Sequence, residues 1–284
     1  MRRGLRPVGH PAALVRSRRP PRRARPLRRR RHQQPHVSEA SGRPLYDQIG
    51  DRYATTRRPD PRVAARIHAA LGDARRVVNV GAGAGSYEPT DLDVLAVEPS
   101  TVMLAQRPVG GAPAVRAVAE ALPFPDRRFD AAMAVLTMHH WSDQRAGIAE
   151  LRRVARRVVM LTFDTDVVPW IASDYLPAMI GQDAFVFPPI TEVASWLDAD
   201  IEVVPVPHDC TDGFVGAYWA RPELYLDPQR RAGMSAVRQL DPALVEAAVE
   251  HLRADLESGA WDAKWGQLRD LDELDLGYRL LVTR

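Results

Sequence analysis

The sequence predicts an α/β fold: a doubly wound, seven-stranded, mostly parallel and Rossmann-like sheet, with an antiparallel last strand and a helical insertion before it. Three observations carry this expectation. Short apolar runs, most of them β-branched, recur at 77–80, 94–97, 114–118, 131–136, 158–163, 201–206 and 278–283, each the length of a buried strand. Helical periodicity fills much of the chain between them, as crossovers between parallel strands require. The first run ends abruptly in Gly81-Ala82-Gly83-Ala84-Gly85, and the second ends in Glu98. Glycine is wanted where backbone approaches a ligand or takes positive φ. An acid at the end of the neighbouring strand can accept hydrogen bonds from both hydroxyls of a ribose. Strand, glycine turn, strand and acid together read as a nucleoside-binding half-sheet.

Charge divides the chain. Residues 1–43 hold 14 arginines and one acid, Glu39, for a net of +13, so the remaining 241 residues carry −10. The basic character therefore belongs to the tail, and an acidic domain without a basic patch does not favour a nucleic-acid partner. Lys264 is the only lysine, as a GC-rich coding sequence would produce. Cys210 is the only cysteine, which excludes an intramolecular disulfide framework and chemistry needing several thiols. No apolar run approaches the roughly 20 residues of a membrane span. A soluble, cytoplasmic monomer or homodimer acting on a small molecule is expected, with no membrane partner.

Taken in order, residues 1–43 are arginine, proline and polar residues with little to bury, and are expected to be disordered. A nucleic-acid or membrane-surface arm, a targeting segment, and leader translated from a start placed too far upstream all remain open for them. The folded part is expected to run over 44–284. Asp60-Pro61 followed by Val63, Ile67 and Leu71, with Gly72 beyond, predicts a capped amphipathic helix. After the glycine turn only Ser86 to Asp93 precede the second strand, with Pro89 among them, too short for a helix. A pyrophosphate would need that helix N-terminus, and the glycines fall as G-x-G-x-G with Ser86 in the sixth place rather than as the dinucleotide fingerprint. Ser100 caps a short helix containing Val102, Met103 and Leu104. Beyond the third strand stands Ala119-Glu120-Ala121-Leu122-Pro123-Phe124-Pro125-Asp126, then Phe129-Asp130.

These residues resemble class I S-adenosylmethionine-dependent methyltransferases, and the Ala119–Asp126 string resembles their type 11 small-molecule group. The resemblance covers about 45–284 and implies S-adenosylmethionine as cofactor. It implies cofactor binding by Gly81, Ala82, Gly83, Gly85, Glu98, Pro99, Met103, Ala119, Glu120 and Leu136. In such proteins the segment ahead of the first strand folds over the cofactor, which makes Tyr53 and Arg57 candidates for its methionine end and Tyr46 for the substrate. One position departs from the group: where an aspartate often binds the adenine amino group stands Val118. Adenine recognition then falls to the Ala119 backbone, Glu120 or a water.

The fourth strand ends in Thr137-Met138-His139-His140-Trp141, at the sheet edge where this architecture places reacting groups. The Asn/Asp-Pro-Pro-aromatic tetrapeptide of methyltransferases acting on base amino groups is absent. His140 is a candidate general base, with His139 and Trp141 as substrate neighbours; satisfied imidazoles at a helix entrance are the structural alternative. Without a third ligand at suitable spacing, no metal site is expected. Ser142 is expected to cap the next helix, which carries Ile148, Leu151 and Val154 inward. A helix over 191–197 follows. The insertion, about 207–276, opens with His208, Asp209 and Asp212, ringed by Phe214, Tyr218 and Trp219. His208 and Asp209 are further proton-transfer candidates, and the three aromatics are candidate substrate walls. The same cluster also reads as a structural turn. Its longest helix is expected from Asp241-Pro242 to Gly259, with Leu244, Val245, Val249, Leu252 and Leu256 as the apolar positions.

The expected activity is methyl transfer to an O, N or C atom of a small metabolite by in-line displacement. A non-catalytic S-adenosylmethionine-binding regulator would keep every feature used here, and a nicotinamide-dependent oxidoreductase would share the glycine turn and acid.

Overall fold

The computed structural model describes residues 15–16, 57–180 and 187–284. Seven strands form one sheet: β1 (Arg76–Val80), β2 (Asp93–Val97), β3 (Ala114–Val115), β4 (Phe129–Val135), β5 (Ala155–Phe163), β6 (Ala199–Val203) and β7 (Tyr278–Thr283). Their spatial order is β3-β2-β1-β4-β5-β7-β6. All neighbours pair parallel except β7, which runs antiparallel to both β5 and β6. The order reverses between β1 and β4, so their carboxyl ends open a crevice, the usual ligand position in such sheets.

Alternating residues of the same strands enter two apolar cores, one on each face. Val77, Ala131, Met133, Val159 and Leu161 belong to one; Val78, Val80, Ala132, Ala134, Val158 and Met160 belong to the other. Helix α1 (Pro61–Ala70) covers the first face with Val63 and Ile67. The insertion packs on that face too, through Trp219, Val249, Leu252 and Trp261. Helices α2 (Thr101–Ala105), α3 (Gln144–Val154) and α4 (Ile190–Leu197) follow β2, β4 and the segment after β5. Ile148 and Leu151 of α3, with Val193 and Leu197 of α4, cover the second face.

Several expected boundaries shift for physical reasons. β3 stops at Val115, three residues early, because among the described residues it is an edge strand paired with β2 alone, which ends at Val97; Val118 is then exposed. β6 begins at Ala199 rather than 201, directly after Asp198 takes a left-handed conformation (φ 55°) at the end of α4. Val206–Pro207 leaves the main sheet and pairs with Glu273–Leu274. Asp143, not Ser142, caps α3 by accepting from the Ala146 N–H. The insertion's long helix, α5 (Pro242–Ser258), starts and stops where Asp241 and Gly259 predict, but Leu244 faces solvent. Of the residues expected in the disordered tail, Val15–Arg16 pair antiparallel with Val167–Val168; the rest of 1–43, and the candidates Tyr46 and Tyr53, lie outside the described residues. No helix among the described residues is long and apolar enough to cross a membrane.

Candidate active site

The site begins where β1 releases its backbone. Gly81, Gly83 and Gly85 take φ of 69°, 53° and 96°, a region closed to most side chains. At Gly81 there is a second constraint: an added Cβ would fall 1.9 Å from Thr137 Oγ1 at the end of β4. The Gly81 and Ala82 N–H groups both donate to the Val97 carbonyl, at 2.9 and 3.0 Å. That ties the turn to the end of β2, where Glu98 lies 5% exposed. Its Oε2 accepts from Gly83 N–H at 2.9 Å and its Oε1 from Ser100 N–H at 2.8 Å. An acid fixed at this strand end is placed to accept hydrogen bonds from ribose hydroxyls. Met103, 1% exposed, reaches the turn from α2; its Cε lies 3.0 Å from where a Gly83 Cβ would stand. Such a cradle, a glycine turn with an acid fixed at its rim and no helix N-terminus behind it, fits an adenosine carrying no phosphate.

Beneath the turn lies a polar strut. Buried Asn79 donates to Glu88 Oε1 at 3.0 Å, Arg107 forms an ion pair with Glu88 at 2.7 Å, and Arg107 also reaches the Gly83 carbonyl at 3.4 Å. Past the strut, Tyr87 takes φ 64°, an uncommon conformation for a bulky residue. Its carbonyl faces His68 Nε2 on α1 at 2.9 Å.

At the end of β4, Leu136 also takes positive φ (51°), and a three-ten turn over Met138–His140 follows. The His139 and His140 rings lie 3.8 Å apart between centroids. His139 also contacts Phe187 at 4.9 Å and the edge of Phe163 at 6.3 Å. Phe163 packs on Tyr278, its partner across β5 and β7, and Tyr278 packs on Phe214. Burial, the neighbouring His140 and the Arg57 charge hold His139 well below its ordinary value. Burial takes His140 down to about 4. Both imidazoles are thus neutral at pH 7, and His139 Nδ1 is buried with no hydrogen-bond partner among the described residues. Trp141 lies against Gly147 of α3, where an added Cβ would come within 2.5 Å of the indole.

The insertion delivers different groups than its order suggests. Asp209 turns outward to an ion pair with Arg62 at 2.7 Å, both side chains about half exposed, and exposed His208 faces the Asp272 carbonyl. Trp219 donates its indole N–H to the Val206 carbonyl and packs in the core; Tyr218 is buried against Tyr225. Asp212, in contrast, points inward at 1% exposure, paired with Arg57 and accepting from Tyr87 Oη at 2.6 Å. Burial pushes the Cys210 thiol up to about 12, so it stays protonated and unreactive. Glu120 Oε1 accepts from Ser142 N–H, Ser142 Oγ and Asp143 N–H at 2.6, 2.8 and 3.1 Å, which seats the entrance to α3. Ala119 is buried and Pro99 half-buried beside the rim. Sequence reasoning did not single out Tyr87, Phe163, Phe187 or Tyr278. For Phe163 and Tyr278 the available signal was their position at facing ends of adjacent strands.

A family model described as a methyltransferase domain matches residues 78–163. Among solved structures, a protein of Anabaena variabilis, described as a methyltransferase from an antibiotic biosynthesis pathway, is 35% identical. It covers 81% of this chain and 99% of its own, with a TM-score of 0.76. The YcgJ protein of Bacillus subtilis is 18% identical, covering 78% and 96% of the two chains with a TM-score of 0.46. A phosphoethanolamine N-methyltransferase of Haemonchus contortus, solved with S-adenosylhomocysteine, is 15% identical over 77% and 51%, with a TM-score of 0.44. No curated protein matches. The cradle's fit to a phosphate-free adenosine, the domain match and the similarity to the Anabaena protein over nearly its whole length agree: the chain belongs to the class I S-adenosylmethionine-dependent methyltransferases.

Proposed function

We propose that the chain methylates an O, N or C atom of a small, partly aromatic metabolite by in-line displacement, with an acidic hydroxyl the favoured acceptor. The observation that carries this reading is the His139–His140 pair, held neutral beside Phe163 and Phe187 at the carboxyl end of β4. S-adenosylmethionine, when bound, supplies an electrophilic methyl carbon on a sulfonium. The chain's tasks are to hold the adenosine through the glycine turn and Glu98, align the acceptor against the aromatic wall, and exclude water. His139 Nδ1 takes the acceptor's proton. A base held this low is poorly matched to an aliphatic alcohol and better matched to a phenol or enol, whose own proton is acidic. The Anabaena protein's description as part of an antibiotic biosynthesis pathway supports a small-molecule acceptor. His208 and Asp209 have no part in this scheme.

The test is release of S-adenosylhomocysteine from S-adenosylmethionine across a panel of phenols, enols, aliphatic alcohols and amines. Turnover should concentrate in the phenol and enol arms, and His139→Gln should lower kcat by about 10²–10⁴ with KM little changed. Turnover confined to aliphatic alcohols or amines, or a His139→Gln enzyme as fast as the wild type, would remove the base assignment. An enzyme that binds S-adenosylhomocysteine and methylates nothing in the panel would count against the small-molecule reading itself.

A further inference from the structure

The two edges of the sheet are finished differently. At one edge β3 offers two residues for pairing. At the other β6 offers five, Ala199-Asp200-Ile201-Glu202-Val203, with no lysine, proline or bulge among them. Sheets usually blunt their edges with such devices, because an open edge is a template for another strand. Among the described residues nothing pairs with the outer side of β6. Which of its backbone groups face outward follows from its inner side. Val204 N–H donates to the Tyr278 carbonyl at 3.0 Å and Arg284 N–H to the Asp198 carbonyl at 3.1 Å, and the register of β6 on β7 is continuous between them. Backbone direction alternates along an antiparallel ladder, so the even-numbered residues of β6 bond to β7. Ala199, Ile201 and Val203 therefore present N–H and C=O outward. Their side chains lie on the face of Leu281, and Ile201 and Val203 are 41% and 43% exposed.

This edge is complementary to itself. Paired antiparallel with a second copy about a twofold axis at Ile201, it sets Ile201 against Ile201 and Ala199 against Val203. All three outward residues then fall in hydrogen-bonded pairs, and every outward N–H finds a carbonyl. Moving the axis one residue either way pairs only two of the three. On one face the pairing gathers Ala199, Ile201 and Val203 of both copies into an apolar row. On the other face Asp200 meets Glu202 of the second copy. Two acids directly opposite repel, but each arrives with its own arginine: Arg284 on Asp200 at 2.9 Å and Arg66 on Glu202 at 3.1 Å. The charges in that row therefore sum to zero. We propose that β6 is a dimerisation edge, through which a second copy of this chain extends the sheet by antiparallel pairing centred on Ile201. The proposal is independent of the methyl acceptor and of its base.

The test reads assembly of the full chain. Analytical ultracentrifugation of the wild type up to about 100 μM should show a monomer–dimer equilibrium. Ile201→Lys sets two ammonium groups against each other across the axis and should weaken the dimer about tenfold or more. A cysteine scan then reads the register. In a hydrogen-bonded pair the two Cα atoms at position 201 stand about 5.5 Å apart, within disulfide reach. The two at position 203 are four residues out of line, about 14 Å apart, and beyond it. Burial keeps the native Cys210 thiol protonated, so the introduced thiol is the one that couples. Under mild oxidation the Ile201→Cys variant should cross-link to itself at least about tenfold faster than Val203→Cys. A wild type that stays monomeric throughout would overturn the proposal. So would a dimer that Ile201→Lys leaves intact, or equal cross-linking of the two cysteine variants.

Discussion

At the scale of single residues, the histidine pair makes the sharpest statement about pH. Both imidazoles are held below the ordinary value of 6.5, His140 at about 4. A base with a depressed folded-state pKa is neutral in the fold while the unfolded chain already binds protons. The unfolded chain therefore gains protons first as pH falls, and stability is full above 6.5 and lost between 6.5 and about 4. His140 contributes a slope of at most about 1.4 kcal/mol per pH unit in that window, and His139, also held low, adds to it in the same direction. The depressed carboxyl of Asp60 acts lower, between 3.8 and about 2, so urea unfolding between pH 7 and 5 isolates the imidazoles. His140→Gln should flatten the dependence there; an unchanged slope would mean the ring is solvated in the fold. Gly81 gives a steric counterpart. Gly81→Ala sets a methyl 1.9 Å from Thr137 Oγ1 and strains a φ of 69°, and should cost about 3 kcal/mol or more. Gly110→Ala, at φ 80° with open space around it, should cost only about 1 kcal/mol. Equal losses in thermal unfolding would show that the turn relaxes. The glycines and Glu98 were legible in the sequence because their roles are local, set by backbone φ and by position at a strand end. Tyr87 and Asp212 were not legible as partners, because 125 residues separate them and only the fold supplies their meeting.

At the scale of elements, caps were read well and faces less so. Asp60 before Pro61, Ser100 before Thr101 and Asp241 before Pro242 all cap as their residue types predict. Asp60 does more than a cap. Burial pushes its carboxyl up, yet the Arg62 side chain and the Thr211 and Arg62 N–H groups outweigh burial and hold it at about 2. Its carboxylate is completely buried, and it joins α1 to the insertion as well as starting the helix. Asp60→Ala should therefore cost about 2–4 kcal/mol, above the roughly 1 kcal/mol of an ordinary cap; a loss near 1 kcal/mol would mean the Thr211 contact adds nothing. Along α5, apolar spacing admitted Leu244 and Leu252 equally. The buried stripe runs through Val245, Ala248, Val249 and Leu252, and Leu244 lies off it, so Leu244 is 55% exposed while Leu252 is 1% exposed. Leu252→Ala should cost about 2–5 kcal/mol, and Leu244→Ala about 0.5 kcal/mol or less. Apolar spacing offers candidates for a buried face, and the packing against the neighbouring layer decides which of them are covered. At β3, likewise, four apolar residues and Arg116 were available at 114–118 and the partner strand allowed two residues to pair.

At the scale of the whole molecule, the insertion between β6 and β7 is more than a decoration on a complete sheet. Its core residues join the apolar cluster that backs β1, β4 and β5, and its loop at 209–212 is stitched to 57–62 by ion pairs and hydrogen bonds. Tyr87 links both to the exit of the glycine turn, and His68 fastens that exit to α1. Segments joined this way open together, since breaking one contact leaves buried charges such as Asp212 and Arg57 unpaired. A ligand that closes the turn should then slow hydrogen exchange well beyond the residues it touches. At 100 times its dissociation constant, S-adenosylhomocysteine adds about 2.7 kcal/mol, which slows exchange through a shared opening about a hundredfold. The expected pattern is protection of 57–70, 81–88 and 209–219 by similar factors, with Leu244 and the exposed start of α5 little affected. In Asp212→Asn the ligand should still protect 81–88 while 209–219 drops out. Protection restricted to 81–88 and 98–103 in the wild-type chain would show that the insertion opens independently, and would reduce its stitching to the docking of a separate layer.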